Sequence, residues 1–147
     1  MSSASSPPKK FKGCLAYVTS PQIAPNSTYI FTEYDEKSYD TDNFHDSSVD
    51  KSKFTVPAGV KKIRLSAYVQ FGGGATGNTI GEFFKNGGSL LQGGNKSNNR
   101  PNTTALFVSG VIDVEEGDYF QLRILQVTGS TRYTSAATTW FAVEVVE

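Results

Sequence analysis

The clearest hydrophobic and polar pattern lies over residues 51–71, where KSKFTVPAGV runs into KKIRLSAYVQF. Ile63, Leu65, Ala67, Val69 and Phe71 alternate with Arg64, Ser66, Tyr68 and Gln70, the period-two signature of a strand with one buried face. Pro57 ends the run before it, because proline brings no N–H to a ladder, and Gly59 can supply the positive φ of a tight reversal. Strand patterns recur over 28–34, 78–85, 103–114, 119–127 and 139–146, with shorter ones at 14–18 and 89–91. Asn86-Gly87 and the acidic glycine turn Glu115-Glu116-Gly117-Asp118 mark reversals between them. No stretch has a useful helical period. The pattern predicts an all-β sandwich of antiparallel sheets rather than alternating strands and helices.

Between these runs lie polar stretches. Residues 1–12 are rich in Ser, Pro and Lys and cannot bury enough surface to fold alone. With the proline-containing linker after the first short strand, residues 1–25 read as an extended attachment arm, and 26–147 as one globular domain. Residues 35–50, around YDTDNFHD, read as a long polar excursion, and loops of that length carry a function or cover something. Together with 72–77 and 93–102 they are the expected displayed loops.

Charge adds one contrast. The 14 basic and 14 acidic residues cancel, so no overall field favours nucleic acid. Lys9, Lys10 and Lys12 nevertheless surround Phe11 in the arm, while acidic residues crowd 33–50. No apolar run approaches the length of a membrane helix, so no membrane insertion is expected. The N-terminus also lacks the apolar core of a signal peptide.

Candidate chemistry is sparse. Asp40, Asp42 and Asp46 sit close together with Asn43 and His45, an oxygen-rich set of the kind calcium takes. The other reading of the same residues is that the Asp and Asn side chains cap turns while His45 packs beneath the loop. The single Cys14 and single His45 are too few for a zinc site, and Cys14 reads as a small buried residue. There is no phosphate-binding glycine loop, nucleophile elbow or zinc-type His–Glu motif, so no enzyme and no catalytic residue is expected. Tyr68, Tyr119, Leu125 and Trp140 fall at outward positions of their strands, and an apolar patch of that size marks a partner surface. Self-association is the expected use.

Taken in order, FTVPAGV, IRLSAYVQF, FFKNGG, VSGVIDVEEGDYFQLRIL and WFAVEVV resemble the C1q/TNF-like jelly-roll domain over about residues 29–146. The resemblance implies a ten-stranded jelly roll assembled as a homotrimer, with aromatic and apolar side chains packed on the threefold axis. Lys61-Lys62 stands where the family usually has an aromatic pair, and the collagen stalk and cysteine pattern of animal members are lacking. YDTDNFHD ahead of a VPAGV turn is similar to short C1q-like structural proteins of phages and bacteria. That likeness implies a decorating or adhesive trimer on a virion exterior, held to other virion proteins by its arm and displaying loops to a host glycan or protein. A secreted ligand or lectin-like module is the other class it allows.

Overall fold

The computed structural model describes residues 10–72, 77–90, 96–99 and 104–147. Its strands are β1 (Gly13–Tyr17), β2 (Ile23–Ala24), β3 (Ile30–Phe31), β4 (Glu36–Asp40), β5 (Phe54–Thr55), β6 (Lys62–Gln70), β7 (Asn78–Lys85), β8 (Gly88–Ser89), β9 (Lys96–Asn99), β10 (Thr104–Asp113), β11 (Tyr119–Val127), β12 (Arg132–Tyr133) and β13 (Trp140–Val145). The first sheet has the order β10-β6-β13-β1-β4 and the second β3-β11-β7-β8, with β5 added to β11 and β9 to β7. A two-stranded ribbon of β2 and β12 lies beside them. The chain is an all-β jelly-roll sandwich, as its alternating runs require.

β6 organises the first sheet. It pairs antiparallel with β10 on one side and β13 on the other, so its inward row Ile63, Leu65, Ala67 and Val69 is wholly buried. Asn86 and Gly87 both take positive φ, at 52° and 83°, which is what a tight turn from β7 into β8 demands. Gly59 does the same at 85° after Pro57.

Two stretches differ from the expectation. The excursion at 35–50 contains β4, and the loop at 93–102 contains β9. Neither has an apolar alternation in its sequence. In β4 Glu36, Lys37, Ser38 and Tyr39 are all exposed, and the strand exists because β1 offers it backbone partners at a sheet edge. Within the expected arm, β1 lies between β13 and β4, and β2 pairs with β12. Among the described residues, the sandwich begins at Gly13. A Cβ there would stand 2.3 Å from the Val143 carbonyl oxygen, so only glycine lets β1 and the chain before it lie against β13.

Aromatic rings fill the space between the sheets. Phe141 of β13 stacks on Phe54 of β5 at 4.1 Å between centroids and meets Tyr34 and Phe83 edge-on at 5.8 and 5.6 Å. Phe107 of β10 packs against Gly81 of β7, where a Cβ would come within 2.6 Å of its ring. Removing such a ring leaves a cavity that a rigid sandwich closes only in part. Phe141→Ala is expected to cost about 3–5 kcal/mol, read as a lower urea midpoint at unchanged slope; a loss below about 1 kcal/mol would show that Phe141 is not the hub of the core.

Candidate functional site

Strand register assembles the outward row of the first sheet directly. Leu106 of β10 stands opposite Tyr68 of β6, Tyr68 opposite Trp140 of β13, and Trp140 opposite Tyr17 of β1. Val108, Ser66, Ala142, Leu15 and Tyr39 form the next row. Tyr68 and Trp140 stack at 6.4 Å with ring planes 19° apart. Leu106 and Val108 remain 46% and 54% exposed. Beside them a shallow cleft of about 570 Å3 is lined by Leu15, Tyr17, Tyr39, Trp140 and Ala142. Charges stand at the margins: Arg64 pairs with Glu144 at 3.6 Å at one end, and Glu36 of β4 stands opposite Tyr17 at the sheet edge. Apart from Ser66 in the second row, these two rows are aromatic and aliphatic.

Of the four residues expected on a self-association face, Tyr68 and Trp140 lie together on it. Tyr119 and Leu125 do not join them, because β11 belongs to the second sheet. Tyr119 sits under the Lys53 ammonium at 4.4 Å from the ring centroid, and Leu125 faces Ile80 of β7. Alternation along a strand tells inward from outward but carries no information about which sheet the strand joins. Leu15, Tyr17, Leu106 and Val108, which complete the face, become visible only through the register.

The acidic loop is held together internally. Asp40 accepts hydrogen bonds from the backbone N–H groups of Phe44 and His45 at 2.8 and 3.0 Å and pairs with the Lys37 ammonium at 3.3 Å. Asp42 accepts from the Thr41 hydroxyl, and Asp46 from both the N–H and the hydroxyl of Ser48. Among the described residues, no group of three His, Cys, Asp or Glu side chains is placed to hold a metal ion. His45 is 1% exposed and stacked on Phe54, with its ring nitrogens 2.8 Å from the Lys53 carbonyl oxygen and 2.7 Å from that of Tyr34. Its ring thereby ties the loop to the aromatic core. Cys14 is fully buried, and burial, then the neighbouring Asp40, pushes its thiol up to about 12. It is a protonated core residue at neutral pH.

Of the arm residues, Lys9 lies outside the described residues, and 10–12 run against the end of β13. The Val145 N–H donates to the Lys12 carbonyl at 3.0 Å, and Phe11 meets Tyr39 edge-on at 5.5 Å. Glu147 is bonded through its backbone to Lys61 and Lys62 at the same end of the sandwich. The expected display loops are split between the ends. Thr41 bonds to Gly13 beside the arm, whereas Gly72 bonds to Tyr133 at the opposite end; 73–76, 91–95 and 100–103 lie outside the described residues.

This sheet order and antiparallel sandwich define the jelly-roll fold of TNF and C1q domains. Crystal structures of murine APRIL at pH 8.0 and pH 5.0 superpose with TM-scores of 0.60, at 13% and 14% identity, covering 93% of this chain and 100% of theirs. The globular domain of zebrafish complement 1qA gives 0.57 at 11% identity, covering 94% of this chain and 98% of that one. No protein-family model matches the sequence, and no curated protein is similar to it at the sequence level.

The loop carboxylates set the response to acid. For Asp46, the Ser48 hydroxyl and N–H hold the carboxyl below its usual range. For Asp118, burial pushes upward but hydrogen bonds from Asn86 and the Glu115 N–H, with the nearby Lys85 charge, outweigh it. A carboxyl depressed by folding stabilises the protein above its unfolded value, near 4, and that contribution is lost as pH falls through the folded value. The melting temperature is expected to fall on acidification below about pH 4, less steeply in Asp118→Asn. A parent profile flat down to about pH 2 would contradict this reading. Neither calcium nor EDTA is expected to shift the neutral-pH melting temperature, since Asp40 and Asp46 are occupied by their own turns.

Proposed function

We propose that this chain is a non-enzymatic homotrimeric binding or structural module. The observation that carries it is the face of the first sheet, where Leu106, Tyr68, Trp140 and Tyr17 stand in one row across four strands. An aromatic and aliphatic row spanning four strands marks an interface. Its central location in a broad sheet suits close approach around a threefold axis. A cyclic trimer is heterologous, so this face meets a different surface of the next subunit. The likeness to TNF and C1q folds supports the same reading.

The assembly's place is a virion exterior, as a capsid-decorating or fibre component, joined to other virion proteins by the chain before Gly13, with Lys9, Lys10, Phe11 and Lys12. Phe11 and Val146 are exposed on that end, and Lys10 and Lys12 add positive charge. The opposite end, with the β2–β12 ribbon, then points outward toward a host surface glycan or protein. A secreted C1q-like ligand or lectin-like module in the extracellular space is the second reading, favoured by the structural likeness to APRIL and complement 1qA. No helix of the described residues is long and apolar enough to cross a membrane.

Leu106→Glu and Val108→Glu test the assembly without threatening the protomer, because both side chains are already exposed in it. Each is expected to leave the circular dichroism spectrum unchanged while shifting the sedimentation coefficient to that of a monomer, since a buried unpaired charge is costly. Unchanged sedimentation in both would place the interface elsewhere. Deleting residues 1–9 separates the two settings. A virion component should keep its oligomeric state and lose incorporation into particles; the truncated chain entering particles at the parent's level would sink that role for the arm.

A further inference from the structure

The second sheet carries a separate feature on its flank. Between the edge strand β3 and the segment that follows His45 runs an open cleft of about 680 Å3. Ile30 and Phe31 give it an apolar floor, and Gln22, Glu33, Val49 and Lys51 stand around it. The Gln22 side chain is fixed, donating to the Phe31 carbonyl at 3.0 Å and accepting from the Glu33 N–H at 2.9 Å. That pair of bonds holds the wall against the floor. Val49 projects from the facing wall at 80% exposure, an apolar side chain left in water at a cleft rim. Glu33 and Lys51 have no ion-pair partner among the described residues.

The floor continues into an aromatic ladder. Phe31 meets Phe84 edge-on at 5.4 Å, and the Arg123 guanidinium lies over Phe84 at 4.5 Å and over Tyr29 at 4.1 Å. Arg123 is bound to Glu82 at 2.5 Å. The stack is therefore rigid, with the Tyr29 ring exposed at its end.

We infer that this cleft is a carbohydrate-binding site, taking a pyranose-based glycan. The cleft is open, and Ser47, Ser48, Asp50 and Lys51 stand in its wall, which suits a polar ligand rather than an enclosed apolar one. Its chemistry matches an amphiphilic ring: the C–H face of the sugar lies on Phe31 and Val49, while its hydroxyls donate to the Glu33 carboxylate and accept from Lys51. A purely apolar ligand would leave these charges unpaired on binding. The Gln22 bonds and the Phe31–Phe84 contact hold the floor in place when the ligand arrives. β3 is an edge strand of the second sheet, so the cleft lies on a different sheet from the apolar face. This inference deepens the binding-module reading above and rests on it.

The test is a glycan array probed with the labelled full-length chain, followed by titration calorimetry with the strongest free oligosaccharide. Glu33→Gln and Val49→Asp, both on exposed positions, are expected to weaken that oligosaccharide's binding by about tenfold or more, as loss of a charge-assisted contact or an apolar one does. The sedimentation coefficient should remain that of the parent. No glycan bound on the array overturns the inference, as does binding that both variants retain in full. A parent chain that sediments as a monomer but still binds through Glu33 and Val49 would sink the trimer and leave the site standing.

Discussion

The packing of three aromatic rings around Phe141 is the constraint on which the rest of the molecule depends. Phe141 belongs to the first sheet, Phe54 and Phe83 to the second, and Tyr34 to the chain crossing between them. Contact among them fixes the distance and angle at which the sheets face each other. His45 extends the stack beyond Phe54, so the acidic loop is drawn into the same core rather than left to solvent. Its carboxylates then serve the loop's own backbone. This is why a stretch rich in Asp and Asn is ordered without a metal-holding cluster among the described residues.

Once the inward rows of β6, β13 and β10 are committed to that core, their alternate residues must point the other way. In the second sheet the corresponding positions of β11 are occupied by the protomer itself: Arg123 is held by Glu82 and lies over Tyr29 and Phe84, Tyr119 lies under Lys53, Gln121 donates to the Ser52 hydroxyl, and Leu125 stands opposite Ile80. In the first sheet the outward positions carry Tyr68, Trp140, Leu106 and Val108, for which a single protomer offers little cover. The two faces of the sandwich thus differ in kind. One is closed by its own side chains and leaves an open polar cleft at its edge; the other is apolar and suited to a second protein surface.

Much of the fold was legible because burial imposes a two-residue period. The runs that became β6, β7, β10, β11 and β13 could be read almost to their ends, and the Asn86-Gly87 and Gly59 turns by their need for positive φ. β4 and β9 were not legible, since an edge strand is held by backbone pairing with its neighbour and needs no apolar side chain. β1 was readable as a strand, yet its place inside the sandwich was not, because sheet order is set by contacts remote in sequence. The same blindness separated Tyr119 and Leu125 from Tyr68 and Trp140. The flank cleft gave no sequence signal at all: Gln22, Phe31, Glu33 and Val49 meet only through the crossing of three segments.

The central claim is that the face around Trp140 is covered by another copy of the chain. The mass of the unmodified protein in solution, by light scattering after size exclusion, tests it most directly. About three times the 15.9 kDa chain mass, held on dilution, is what the proposed trimer predicts. A particle of a single chain mass at every concentration would contradict the account and leave that face for a different partner.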